Sequence, residues 1–305
     1  MFILNGYNDA MTDNSSLTPT KQIPKPAIRA YLGGSFNPVH NAHIEMAMQV
    51  YNALAALAIQ QHYELQVSLL PNARSPFKQQ STDPKHRLAM LKLAVQDTPL
   101  HIDELELWQE PPVYTIDSVR TLRQRYPSDC LIFIMGMDSA RSLEHWKQGL
   151  QLTDYVNLWL FDRSDRDSEK YARNTYATDP ICNSRTFGNA VLSNKQQATL
   201  ISELPNQLQC QVVNSISELI PSPNDSLKEQ PLAEKPLKTL PKGRIYIDLT
   251  AIKKISSTEI RRHLRHSLIT PVTEESLLKD ANYLSKHLHP AVYDYIVQHK
   301  LYSVD

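Results

Sequence analysis

The chain has 305 residues, enough for one large domain or two small ones with ample core in either case. Its 32 Lys plus Arg balance 32 Asp plus Glu, so no net field favours a nucleic-acid or membrane partner, and any basic site must be local. Three widely spaced cysteines, Cys130, Cys182 and Cys210, read as free thiols in a reducing compartment rather than a disulfide frame.

Residues 1–26 open on a short apolar start, Met1-Phe2-Ile3-Leu4, then turn polar and Pro-bearing, and they read as a disordered tail. The tail lacks the basic flank and long apolar region of a signal peptide. No apolar run reaches the ~18–20 residues that span a bilayer. The expectation is a soluble, cytoplasmic protein.

From residue 27 onward, short apolar runs alternate with longer amphipathic ones. Strands are predicted at 28–32, 65–70, 100–107, 130–135, 156–161 and 244–248, and helices at 42–59, 84–97, 115–126 and 139–146. This alternation implies a Rossmann-like α/β fold, a parallel sheet with right-handed crossovers and helices on both faces. Ligands of such sheets bind beyond the carboxyl ends of the strands.

The rhythm breaks after Arg163. Insertions are read at about 164–192, dense in Asp, Arg, Ser and Asn, and at about 214–242, which carries Pro221, Pro223, Pro231, Pro236 and Pro241 with few large apolar residues. Between them lie a predicted helix at 195–203 and a short candidate strand at 209–213. The end of the chain, 256–305, returns to helix, so residues 27–305 read as a single domain.

Two of only seven glycines, Gly33-Gly34, directly follow the first predicted strand, in the run Tyr31-Leu32-Gly33-Gly34-Ser35-Phe36-Asn37-Pro38-Val39-His40-Asn41-Ala42-His43. Paired glycines let the backbone turn without a Cβ clash and let a ligand approach the main chain. The helix opening near Asn41 offers unpaired N–H groups and partial positive charge, which suit phosphate. His40 and His43, three apart, share that first turn. Taken alone, the run also fits an ordinary strand–turn–helix connection with two surface histidines. A zinc reading of the pair fares worse, since the spacing is not His-Glu-x-x-His and no third ligand is evident.

A second run, Lys254-Ile255-Ser256-Ser257-Thr258-Glu259-Ile260-Arg261-Arg262, contains a Ser-x-x-Glu capping box, which by itself marks only a helix start. Side chains lean toward the helix N-terminus, so Arg261 is expected to reach back over Ser257. A cation there opposes the helix dipole unless an anion lies between them, and a polyphosphate resolves that conflict. The third run, 132–138, is a strand ending in Gly136-Met137-Asp138. Asp138 is either an acceptor for ribose hydroxyls or a helix N-cap.

Together these runs resemble the bacterial nicotinate-nucleotide adenylyltransferases of the HxGH-bearing nucleotidyltransferase superfamily. Residues 33–43 resemble the GG(T/S)F(D/N)PxHxGH signature and 255–261 the ISST-x-IR motif. Leu70 to Lys78 is similar to the substrate loop, Tyr114-Thr115-Ile116-Asp117-Ser118 to SYTxDT, and Gly136-Met137-Asp138-Ser139 with Trp146 to the G-x-D-S…W segment. The likeness spans most of 27–161 and returns at 243–265 and 289–302.

The resemblance implies transfer of AMP from ATP to nicotinate mononucleotide, giving nicotinate adenine dinucleotide and pyrophosphate. It implies that Gly33, Gly34, Ser35 and Phe36, with His40 and His43, hold the ATP phosphates. Ser256, Ser257, Thr258 and Arg261 would clasp the outer two, and Asp138 would touch the ATP ribose. Lys78, Tyr114, Thr115 and Trp146 would bound the mononucleotide. Mg²⁺ is expected on the ATP phosphates, since no carboxylate cage is evident and no protein metal site is assigned. Neither nucleic acid nor membrane is expected as a partner, and self-association is compatible with this reading.

Departures from the family pattern are Ala42 for Gly, which adds a methyl expected near the ligand, Ser75 and Phe77 in the substrate loop, and Lys147 after Trp146. Two rival readings follow. One is an adenylyltransferase for another phosphate, such as phosphopantetheine or nicotinamide mononucleotide. The other is a nucleotide-binding regulator without turnover, for which Ala42 and Phe77 give some footing.

Overall fold

The computed structural model describes residues 25–73, 82–162, 194–220, 242–250, 252–269 and 274–303. The first part of the predicted tail, most of both insertions and residues 74–81, with Lys78, lie outside them.

A parallel sheet organises the chain. Its strands are β1 (Ala27–Gly34), β2 (Glu64–Pro71), β3 (His101–Ile102), β4 (Cys130–Gly136), β5 (Asn157–Phe161), β6 (Val212–Val213) and β7 (Ile245–Asp248), in the spatial order β3-β2-β1-β4-β5-β7-β6. β4 is buried at every position, as expected of a parallel strand covered on both faces. Its alternation divides the core. Cys130, Ile132 and Ile134 face one cluster, while Leu131, Phe133 and Met135 face the other. The first cluster is closed by α1 (Asn41–Gln60), α2 (Pro84–Val95), α7 (Ser257–Ile269), α8 (Glu274–His287) and α9 (Pro290–Gln298). The second is closed by α3 (Thr115–Arg125), α5 (Asn194–Ser202) and α6 (Asn206–Gln209).

β1 pairs with β2 on one side and β4 on the other. Strand order reverses between β1 and β4, and such a reversal opens a crevice at the carboxyl ends of the strands. Gly33-Gly34 and Gly136 stand at that crevice.

Several elements differ from expectation. The predicted strand 100–107 is cut to two residues, because the Asp103 carboxylate accepts from the Leu105 N–H at 3.0 Å and diverts the chain. The predicted helix 139–146 is instead the short α4 (Met137–Ala140) and a 3₁₀ turn, Leu143–His145. Between them the Ser142 hydroxyl donates to the Ser139 carbonyl at 2.9 Å, a local bond that competes with helix propagation. The start of the Pro-rich stretch is not detached. Ile216–Leu219 form a 3₁₀ turn capped by Ser215, and Leu219 and Ile220 enter the core.

Among the described residues no helix is long and apolar enough to cross a membrane. Cys130 and Cys210 are free, and burial pushes the Cys130 thiol up to about 12; Cys182 lies outside the described residues.

Candidate active site

Where β1 runs into α1, the main chain is shaped by crowding. A Cβ added at Gly33 would lie 2.6 Å from the tip of the Phe133 ring, so the position has no room for a side chain. The turn itself is made elsewhere than expected. Among the described residues no glycine has positive φ, and Phe36 takes the left-handed conformation, φ 43°, with its ring fully buried. It packs edge-to-face with the His43 imidazole, ring centroids 4.9 Å apart.

His40 caps α1 and is only 3% exposed, which sets aside the surface-histidine reading for that residue. His43 Nδ1 accepts from the His40 backbone N–H at 3.3 Å, so in the neutral ring the proton lies on Nε2. The two imidazoles stack with centroids 3.7 Å apart. Ala42 is 1% exposed and packs in the core, so its methyl does not stand in the cleft as the sequence suggested.

The second motif meets the first directly. The Ser257 hydroxyl donates to the Pro38 carbonyl at 3.0 Å, and Arg261 Nη1 donates to the Asn37 carbonyl at 2.6 Å. Tyr302 OH closes the same corner on Asn37 Oδ1 at 2.6 Å. Arg261 does reach back, but to the Thr258 hydroxyl at 3.1 Å rather than to Ser257. Burial lowers the Arg261 pKa, Tyr302 opposes that shift and Arg265 adds to it. Ser256 caps α7 by accepting from the Glu259 N–H at 3.1 Å. Behind α7, buried His263 and Asp280 pair at 2.6 Å and fix it against α8.

Beside this corner a cavity of about 420 Å³ opens between the ends of β1 and β4, and Gly33, Gly34 and His43 also line it. Its other walls include Tyr114, the N-cap of α3, with Thr115, Trp146 and Lys147. The Trp146 indole N–H is held by the Ser142 hydroxyl at 3.2 Å. Lys147 Nζ lies 3.1 Å from Asp117 and 4.3 Å above the Tyr114 ring. Asp138 is exposed, in the first turn of α4. Gly136 takes the N-cap, which removes the capping role for Asp138, and the cavity wall does not include it. Lys78 lies outside the described residues.

Two residues escaped the sequence reading. Glu106 lines the cavity, 7% exposed, and its carboxyl pKa is raised by burial, with Ser118 opposing and Asp103 adding to the shift. Its place between Leu105 and Leu107 imitates the solvent face of a strand. Arg87 on α2 is fully buried. Its i, i+4, i+7 spacing with Leu91 and Ala94 was the available signal, since those two face the core.

Residues 31–263 match a family model described as cytidylyltransferase-like. The chain is 40% identical over 136 residues to a probable nicotinate-nucleotide adenylyltransferase of Pseudoalteromonas atlantica, covering 44% of this chain and 58% of that one. It is 39% identical over 132 residues to the nicotinate-nucleotide adenylyltransferase of Bacillus subtilis, covering 42% and 64%. These alignments therefore span less than two thirds of either relative. Among solved structures, the Plasmodium falciparum nicotinic acid mononucleotide adenylyltransferase complexed with NaAD shares the fold. Its TM-score is 0.54 at 16% identity, over 92% of this chain and 98% of that one.

Proposed function

From the premise that this chain belongs to the cytidylyltransferase-like family, we propose that it transfers AMP from ATP to nicotinate mononucleotide. The observation that carries the reading is the convergence of two motifs. Arg261 and Ser257 bond the backbone of Asn37 and Pro38, beside stacked His40 and His43, on the rim of an aromatic-walled cavity. The names of the relatives supply the nicotinate mononucleotide and the adenylyl group that is transferred.

In this reading the triphosphate lies along Gly33 to Phe36 and the start of α1, under His40, His43 and Arg261, with Ser256, Ser257 and Thr258 at its outer phosphates. Asp138 receives the ribose of ATP. The mononucleotide enters the cavity, its pyridine ring bounded by Tyr114, Thr115 and Trp146. A phosphate oxygen attacks the α-phosphorus in line. The new P–O bond forms as the bond to the β-phosphate bridge breaks, and pyrophosphate departs with the electron pair. The attacking phosphate is already ionised near neutral pH, so the residues need to align and to neutralise charge rather than abstract a proton.

His43, donating through Nε2, and Arg261 serve the charge that builds on the α-phosphoryl and the leaving group. Magnesium would be carried on the phosphates of the nucleotide, where it would add to the neutralisation of their charge. Among the described residues no group of three or more His, Cys, Asp or Glu is placed to hold a metal. Hydroxyl, imidazole, amide and guanidinium donors suit an ion carried by the phosphates themselves.

The test is direct: purified protein with ATP and Mg²⁺, and either the acid or the amide mononucleotide, with dinucleotide and pyrophosphate measured. Dinucleotide from the acid is expected. ATP binding without pyrophosphate release from any mononucleotide would establish the regulator instead. Product from phosphopantetheine or the amide alone would reassign the acceptor.

A further inference from the structure

Arg87 is a charged side chain fully withdrawn from solvent, and its partners come from three separate stretches of chain. Nη1 donates to the Ser35 carbonyl at 2.9 Å and to Asn72 Oδ1 at 3.5 Å. Nη2 donates to the Ala73 carbonyl at 2.5 Å, and Nε to the Thr82 carbonyl at 3.3 Å. Ser35 belongs to the run that leaves β1 toward the two histidines. Asn72 stands just past the end of β2 and lines the cavity. Thr82 leads into α2.

These acceptors are neutral dipoles. Withdrawing a guanidinium from water carries a desolvation penalty, and an apolar side chain would fill the same space without it. Burial lowers the Arg87 pKa, with Tyr302 and Asp83 opposing, and the group stays cationic at neutral pH. A planar fork of donors can serve carbonyls lying in several directions at once, whereas the ammonium of Lys is a single point. What the arrangement accomplishes is geometric: the cavity wall at Asn72 and the main chain at Ser35 are held by one rigid group.

We infer that Arg87 is a positioning residue that keeps the mononucleotide wall and the phosphate run in one register, so that the two substrates bind with positive coupling. The inference rests on the two-substrate reading above. A ligand that orders one of two rigidly joined segments lowers the cost of ordering the other.

The full chain is tested as wild type, Arg87→Lys and Arg87→Met. Calorimetry measures the Kd of α,β-methylene-ATP with and without nicotinate mononucleotide, and initial rates and circular dichroism are taken at the same temperature. In the wild type the mononucleotide should tighten the analogue about tenfold, within the range of ordinary coupling energies. In both variants that factor should fall toward one while each ligand alone still binds. Their kcat should drop about 100-fold, as small misplacements of reacting groups do.

Wild-type coupling and kcat retained in a folded variant would overturn the inference. So would a wild-type coupling factor of one. Activity lost only in proportion to the unfolded fraction would also overturn it and make Arg87 a stabilising residue. If the wild type forms no dinucleotide from any mononucleotide, the activity reading fails, and the binding measurements still decide the role of Arg87.

Discussion

Arg261 and Asn37 are 224 positions apart in the chain and share a 2.6 Å hydrogen bond, guanidinium to backbone carbonyl. Because the acceptor is main chain, the bond fixes the path from β1 into α1 and not merely a side chain. Ser257 on Pro38 and Tyr302 on the Asn37 side chain repeat the constraint from two more directions. This corner is thus assembled from residues more than 200 positions apart.

Arg261→Ala should raise the KM for ATP by about 10–100-fold, the equivalent of the roughly 1.5–3 kcal/mol carried by hydrogen bonds to a charged group. The KM for the mononucleotide should change little, since Arg261 is not among the cavity residues. Steady-state kinetics with each substrate varied in turn checks this. Equal changes in both constants would place Arg261 in scaffolding alone.

His43→Ala should cut kcat by about 100- to 1,000-fold, as removal of one preorganised donor does. The fold should survive, because the lost backbone contact at the start of α1 is worth about 1 kcal/mol. Thermal unfolding alongside turnover separates the two effects. Turnover within a few-fold of wild type would take His43 out of the chemistry.

Gly33→Ala places a methyl 2.6 Å from the Phe133 ring tip. The ring borders the cavity and can yield into it. Overpacking of this kind costs about 1–3 kcal/mol, so the melting temperature should fall. The displaced ring should also raise the KM for the mononucleotide more than that for ATP. A variant that binds the mononucleotide normally would show that Phe133 moves elsewhere.

Glu106→Gln should alter the dependence of stability on pH. Burial raises the folded Glu106 pKa above its ordinary 4.5, so above that value the native state keeps a proton that the unfolded chain releases. Stability contributed by this site is therefore fully present below about pH 4 and falls as pH rises through the window. The Gln variant should match wild type near pH 4 and exceed it near pH 8, as read from denaturant midpoints. Asp248, raised in the same direction by its own burial, will keep part of the slope in both proteins. Identical curves for the two proteins would mean that Glu106 is not held protonated.

The sequence resolved the strands of the central sheet to within a few residues, and β4 shows why. Seven consecutive residues, Cys130 to Gly136, are buried, so its apolar run is continuous and hard to mistake. It failed where a local hydrogen bond outweighed the pattern. Asp103 ended a predicted strand and Ser142 divided a predicted helix. It also failed for Arg87 and Glu106, because a charged residue among apolar neighbours is ordinarily read as facing water.

What the sequence alone determined is the alternation of elements and the motifs at the strand ends, since periodicity, glycine pairs and capping boxes are written over a few neighbouring residues. Which motifs share a cleft was decided only by tertiary structure. The β1–β4 reversal and the docking of α7 depend on strand order and on helices packing over one face of the sheet. Those couplings run across hundreds of residues and leave no local trace, and they bring Asn37, His43 and Arg261 to one corner.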